Sequence, residues 1–490
     1  MTSTKSDCRA VRKDRVKHLS ALPEQGRPAQ DVLAELRDMR GGDLPTHGGR
    51  LFAYVYDAGL AGLDDLAAAA HALSAHVNGL DPTAFPSLLA MENDLVAAAA
   101  QVLGGDEDTV GSVTSGGTES LILAVKAARD SRPDIARPRL VMPVTAHAAL
   151  AKAASYLRVE LDTVPVDPVS LRVDPAAVAA AITPDTVLVA CSAPSYAHGL
   201  IDPVEPIAAA AAANGVRCHV DACFGGWTLP YLRRLGEPIP PFDLSVPGVT
   251  SISVDLHKYA YVPKGVSVLL HRDESLRMPQ YFGYADWPGY TMVNPVISST
   301  RSGGPIAAAW ATLRHIGDDG YLALAAKTRD ATRAIGGSVA RIADFAVIPR
   351  ESTVVAFMSS SIDLFVLADE LAARGWHTQP QFRHGAIPAS VHLTVTAAVA
   401  PRVGEFEADF AAAVEAARAH GPIALPDGIL DLLETAPVEQ IAGALGLGAG
   451  GGLPDRMAPV NSLLNAVAPA VREKLLIAFL SLLQRPSRRP

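Results

Sequence analysis

Apolar positions recur at helical spacing over residues 31–40 and again over 63–77, with a glycine-rich stretch at 41–50 between them. From about residue 82 to 320 the rhythm changes. Short apolar runs at 140–143, 186–192, 217–221, 251–255 and 267–271 alternate with helical patterns, among them Leu121, Ile122, Ala124, Val125 and Ala128, and the alanine-rich 207–213. Such alternation predicts an α/β domain, a mostly parallel sheet covered on both faces. A long helix is expected over 321–342. The runs at 354–359 and 390–396 instead alternate apolar with polar, as strands of an antiparallel sheet covered on one side do. From residue 421 on, the character shifts again: a glycine run at 445–453 breaks the chain, and 460–483 reads as a helix with an apolar face for a neighbour or partner subunit. The expected organisation is an N-terminal helical segment (1–80), a large α/β domain (81–330), a smaller α+β domain (331–420) and a helical extension (421–490). No internal repeat is present.

Composition narrows the class. At 490 residues, 49% hydrophobic and 19% charged, the chain is a compact globular protein too long for one core of ordinary size. A net charge of −9, with no basic block beyond residues 9–17, argues against nucleic acid as a partner. Cys8, Cys191, Cys218 and Cys223 show neither metal-ligand spacing nor a disulfide framework, so no metal and a reducing cytoplasm are expected. The alanine tracts near 67–70 and 207–213 are too short to span a bilayer, and a soluble protein is expected.

Chemistry enters at four places. Residues 251–259 deliver His257 and Lys258 to a loop after a strand-like run, in a chain with nine lysines against 33 arginines. An amine can lose a proton and attack a carbonyl whereas a guanidinium cannot, so Lys258 is a candidate Schiff-base lysine; taken alone, a surface lysine is the ordinary alternative. Upstream, Ser115, Gly116, Gly117 and Thr118 open a helical pattern: glycines let the backbone approach an anion, and hydroxyls and free amides donate to it. The segment lacks the lysine of a nucleotide-triphosphate loop and the spacing of a dinucleotide fingerprint. Asp221 ends a short strand where open α/β sheets place ligands, and His147 stands at another strand-to-helix junction, able to stack on a flat ring. Each has a plain structural reading as turn, cap or packed residue. Together, in the order phosphate loop, stacking histidine, ring-nitrogen aspartate and lysine, they point to pyridoxal 5'-phosphate, which needs all four contacts.

The wording of these segments, VTSGGTES (113–120), TAHAALAKAASY (145–156), CSAPSYAHGLIDPVEPIA (191–208), HVDACFGGW (219–227), VDLHKYAYVPKG (254–265) and STRSGG (299–304), resembles the group II pyridoxal-phosphate decarboxylase family and, within it, the sphingosine-1-phosphate lyase branch. The resemblance runs from about Tyr54 to the C-terminal region. It implies the fold of the aspartate aminotransferase type (fold type I), a homodimer whose subunits share active sites, and a small-molecule substrate. It also implies a retro-aldol cleavage of a sphingoid-base phosphate, or a similar phosphorylated amino alcohol, to a fatty aldehyde and phosphoethanolamine. By the same resemblance His257 contacts the coenzyme phosphate, Lys264 serves the substrate phosphate, Tyr56 and Asn78 lie on the substrate side, and Arg301, in a loop like the family's SRxGG, is a further substrate-binding residue. Two departures stand out. Where the family reads NPLHP this chain has NGLDP (78–82), so Asp81 replaces a histidine; like charges 4 Å apart at an effective dielectric near 20 repel by about 4 kcal/mol. Met292 stands where the family has a tyrosine. An amino-acid decarboxylase, an aldolase for a non-phosphorylated β-hydroxy amine, and a coenzyme-binding protein without catalysis are the alternatives.

Overall fold

The computed structural model describes residues 22–23, 25–426, 428–429 and 454–484. Cys8, the basic run 9–17 and the glycine run 445–453 lie outside the described residues. The chain divides into two compact units, one of residues 1–46 with 423–490 and one of residues 47–422. In the first, α1 (Ala29–Met39) leaves Val32, Leu33, Leu36 and Met39 exposed.

The larger unit is built on a seven-stranded sheet: β1 (Val110–Thr114), β2 (Arg139–Pro143), β3 (Glu160–Val164), β4 (Thr186–Ser192), β5 (Arg217–Asp221), β6 (Ser251–Val254) and β7 (Ser267–His271), in the order β1-β7-β6-β5-β4-β2-β3. Only β7 runs antiparallel, to both β1 and β6. The carboxyl ends of β1, β4, β5 and β6 therefore face the same way. Strands β4, β6 and β7 are buried at every position; β4 and β7 carry near-continuous apolar runs, while β6 alternates, its buried Ser251 and Ser253 hydroxyls paired with His219. Successive residues serve opposite faces: Val141 joins one core cluster, Leu140 and Met142 the other. The sequence reading did not anticipate β1 and β3. Strand β1 is half polar, and β3 is an edge strand whose residues are mostly only partly covered.

Helices α2 (Leu63–Leu73), α3 (Pro86–Val102), α4 (Gly117–Asp130), α5 (Ala148–Leu157), α6 (Pro175–Ala181), α7 (Val204–Ala213), α8 (Leu229–Arg234) and α9 (Glu274–Arg277) fill the connections. The short strands β8 (Phe282–Tyr284) and β9 (Met292–Asn294) pair as a hairpin. Helix α10 (Gly303–Ala340) starts well before the expected residue 321. Its first half carries the helix-weakening Gly303, Gly304 and Gly320, and at Gly317 the backbone leaves helical geometry (φ 67°, ψ 173°), so the periodicity becomes continuous only beyond that point. A second sheet follows, β10 (Phe345–Val347), β11 (Val354–Ser359), β12 (Gln379–Gln381) and β13 (Ser390–Thr394), ordered β10-β11-β13-β12 and antiparallel throughout, with α11 (Leu364–Ala373) and α12 (Val403–His420).

The helix expected over 460–483 is two helices, α13 (Ala458–Ala466) and α14 (Pro469–Leu483). Pro469 fixes φ and lacks an amide proton, so it starts the second helix instead of continuing the first. Among the described residues no helix is long and apolar enough to cross a membrane.

Candidate active site

Four strand ends meet around a cavity of about 330 Å³, lined by the 115–119 loop, His147, Ser192, Tyr196, Asp221, Cys223, Phe224, Asp255, His257 and Lys258. That volume suits a cofactor-sized molecule, for which roughly 300–1,000 Å³ is usual.

The lysine is delivered by the end of β6. Val254 and Leu256 are buried on the apolar side, which leaves Asp255, His257 and Lys258 to line the cavity. Tyr259, also buried, anchors the segment: its hydroxyl donates to the Val395 carbonyl at 2.8 Å and accepts from Thr353. Lys258 Nζ lies 2.9 Å from Asp255 Oδ2, and Ser267 Oγ donates to Asp255 Oδ1 at 2.6 Å. Burial works against charge on Lys258, yet Asp255, with Cys223 and Asp221 adding to it, raises its pKa above the ordinary lysine value. Asp255 is the complement: burial pushes its carboxyl up, Lys258, His257 and Ser267 pull it down, and the net shift is downward. His257 Nδ1 faces the Val266 carbonyl at 3.0 Å, so that nitrogen carries the proton. Burial, with Lys264 and Lys258, lowers the His257 pKa.

The glycine loop follows β1. Helix α4 starts with no side-chain cap, so its first-turn amides are open toward the cavity. A Cβ on Gly117 would stand 2.7 Å from Cys223 Sγ and 2.8–2.9 Å from both Asp255 carboxylate oxygens, so this close approach admits only glycine. Ser115 donates both its amide and its hydroxyl to Glu119 Oε2, at 2.6 and 2.7 Å. Its role here is thus to shape the loop, while Gly117 and Thr118 keep their donors for a ligand. Asp221 ends β5, where its Oδ1 accepts from the Cys223 amide at 3.1 Å. His147 caps α5, its Nδ1 accepting from the Ala149 amide at 3.2 Å.

Tyr56 and Lys264 pair with each other beside this cavity. The Lys264 ammonium sits over the Tyr56 ring, 5.2 Å from its centroid, and Tyr56 packs edge-on against Phe224 and Tyr259. Burial, then Tyr196 and Asp255, raise the Tyr56 pKa well above its ordinary value. Burial and the Lys258 charge lower Lys264 to about 8.

Asn78 and Arg301 are placed elsewhere. The Arg301 guanidinium holds the Glu92 carboxylate through two 2.8 Å bonds, and Asn78 Oδ1 accepts from the Leu80 amide. Arg301, Gly79, Asp81, Met292 and Arg277 line a separate pocket of about 700 Å³. Within one chain these two residues stand apart from the Lys258 cavity, and Glu92 on α3 holds the arginine where it is.

The sequence reading gave no role to Asp255, Tyr196, Phe224, Ser192 or Cys223. Asp255 had a usable signal, an acid three residues before the lysine in the same segment. Tyr196 had none, since its position depends on Gln379 and His392 of the second sheet: its hydroxyl donates to Gln379 Oε1 at 2.6 Å and its ring stacks on His392 at 4.6 Å.

The cavity fits pyridoxal phosphate on its own geometry. It offers an uncapped helix start for a phosphate, a carboxylate for a ring nitrogen, an amine in the same lining and, in Ser192 Oγ, a buried hydroxyl with no partner.

A model of the pyridoxal-dependent decarboxylase conserved domain matches residues 17–359, and one of a C-terminal HTH domain of pyridoxal-dependent enzymes matches residues 408–482. The sphingosine-1-phosphate lyase of Arabidopsis thaliana is 39% identical over 400 residues, 80% of this chain and 70% of that protein; the Dictyostelium discoideum lyase is 42% identical over 67% of this chain and 61% of its own length. The solved Burkholderia pseudomallei sphingosine-1-phosphate lyase superposes with a TM-score of 0.77 at 36% identity, covering 85% of this chain and 97% of that one. Lactobacillus brevis glutamate decarboxylase shares the fold alone, with a TM-score of 0.73 at 20% identity over 85% of this chain and 98% of its own. The chain is a pyridoxal-phosphate-dependent enzyme of fold type I that belongs to the pyridoxal-dependent decarboxylase family, in the branch of the sphingosine-1-phosphate lyases.

Proposed function

We propose that this enzyme cleaves the carbon–carbon bond of a phosphorylated long-chain amino alcohol, giving a fatty aldehyde and phosphoethanolamine. The observation that carries the reading is the Lys264–Tyr56 pair beside the Lys258 cavity: a second cation, over an aromatic ring, outside the lining to which this reading assigns the coenzyme phosphate.

Bound pyridoxal phosphate supplies an electron sink for the bond that breaks. In this reading Lys258 holds it through its amine, Asp221 keeps a proton on its ring nitrogen, and the amides of Gly117 and Thr118, with His257, hold its phosphate. His147 covers a ring face, and the unpartnered Ser192 hydroxyl donates to a polar atom of the same molecule. Tyr56, whose raised pKa keeps it protonated, orients the substrate as a hydrogen-bond donor. Lys264 binds the substrate phosphate as a cation. Because the bond held perpendicular to the ring is the one that breaks, these two groups decide the outcome by orientation.

The pocket of Asp81, Arg301 and Met292 supports a homodimer in which one subunit completes the site of the other, since these residues stand apart from the lysine of their own chain. Three free, buried thiols, Cys191, Cys218 and Cys223, suit a soluble enzyme of a reducing cytoplasm. Asp81 favours a second reading, cleavage of a non-phosphorylated β-hydroxy amine, because an acid at that pocket disfavours a phosphate.

Incubating coenzyme-loaded protein with sphinganine phosphate, sphinganine and an amino-acid panel separates the readings. A fatty aldehyde with phosphoethanolamine from the first substrate alone is the expected result. Turnover of sphinganine supports the second reading, and carbon dioxide from an amino acid overturns both.

A further inference from the structure

The lysine of the cavity does not stand free. Its nitrogen is 2.9 Å from Asp255 Oδ2, and that carboxylate cannot swing away. Ser267 at the start of β7 grips its other oxygen at 2.6 Å, and the backbone of Gly117 closes on it from the loop, so closely that a single added carbon would touch both oxygens. Asp255 is buried, with 3% of its surface accessible, so the pair is screened little by solvent.

We propose that Asp255 is a positioning residue for Lys258: its carboxylate parks the lysine as an ammonium facing the cavity and sets how readily the amine is released to bond to an aldehyde. The proposal rests on the reading that Lys258 is the coenzyme lysine. Bonding requires the ammonium to surrender one proton so that the nitrogen lone pair can attack. A carbon–nitrogen double bond then forms, the aldehyde oxygen leaves as water, and the proton returns to the nitrogen. Asp255 Oδ2 is the acceptor in contact with that proton, and the same contact recaptures the lysine whenever a substrate amine displaces it.

Other charged and titratable groups face Lys258 as well: His257 from its own segment, Asp221 and Cys223 from the end of β5, Lys264 from the following turn and Tyr196 from the loop after β4. Asp221 and Asp255 both favour the ammonium, but only Asp255 is in hydrogen-bond contact. The raised pKa of Lys258 and the lowered pKa of Asp255 follow from that contact. An asparagine at 255 would keep the shape and an acceptor oxygen while removing the charge.

The test uses the full chain stripped of coenzyme and a neutral acylating reagent, with labelling of the Lys258 peptide followed by mass spectrometry from pH 7 to 11. In the native chain the labelling midpoint is expected above the ordinary lysine value of about 10.4. D255N is expected to lower it by at least about one pH unit, so that labelling at pH 9 runs about 10-fold faster. A D255N curve that coincides with the native one overturns the proposal, as does a native midpoint at or below the ordinary value. The native curve stands even if D255N fails to fold. Separately, borohydride reduction of the reloaded native enzyme locates the coenzyme; a tag on another lysine defeats the coenzyme reading without touching the labelling comparison.

Discussion

Two hollows in the same unit contrast sharply. The Lys258 cavity is about half the size of the Arg301 pocket, and its buried acid and half-buried lysine are paired through short side-chain bonds inside one nine-residue segment and the strand beside it. The Arg301 pocket is larger, draws on the 78–82 turn, α3, β1 and the β8–β9 hairpin, and includes exposed Asp81, Tyr290 and Thr291. The first hollow is built for one rigid molecule and one kind of chemistry. The second is assembled largely from surface loops, which vary without disturbing a core.

The largest expected effect lies in the first hollow. D221N should lower kcat on the order of 10²–10³-fold, because a neutral amide does not hold a proton on a ring nitrogen, while coenzyme still attaches to Lys258; steady-state kinetics with coenzyme absorbance checks both. Next comes a test of whether the second hollow serves a different chain. K258A and R301A, each inactive alone, are refolded together; if Arg301 acts across a dimer, mixed dimers restore about one native site in four. No restored activity places both residues in one subunit's site. G117A should cost about 1–3 kcal/mol in denaturant unfolding and weaken coenzyme affinity, since its methyl group meets Cys223 and Asp255. An alanine at Gly283 of the hairpin beside the second hollow, where a Cβ meets nothing within 4 Å, should cost far less.

The smallest effect concerns pH. Lys264, with its pKa lowered to about 8, is a cation below that pH and loses its charge above it. KM for a phosphorylated substrate should therefore rise by about 10-fold between pH 7 and 9.5, and K264R, whose guanidinium stays charged, should abolish the rise. A flat native profile would detach Lys264 from the substrate phosphate.

The contrast also explains what the sequence made legible. Lys258, Asp221, His147 and the Gly117 loop are short motifs at strand ends, and a parallel sheet brings strand ends together whatever the loops do. Reading them in order was enough to assemble the cavity. Ser115 was placed at the phosphate because hydroxyls there usually donate outward, but Glu119, one helical turn on, takes both its donors. Arg301 is expected on the substrate side only because its STRSGG segment resembles a loop of the family. Its actual partner, Glu92, lies 209 residues away on α3, a pairing that no local pattern reveals. Strand β3 escaped notice for a similar reason, since an edge strand with Glu160, Asp162 and Thr163 carries little apolar signal.

The central claim is that Lys258 bonds the coenzyme opposite Asp221. Borohydride reduction of the pyridoxal-phosphate-loaded protein, followed by peptide mass mapping, tests it most directly. A pyridoxyl group on Lys258 alone is the predicted result; a group on Lys264 or any other lysine, or none at all, contradicts it.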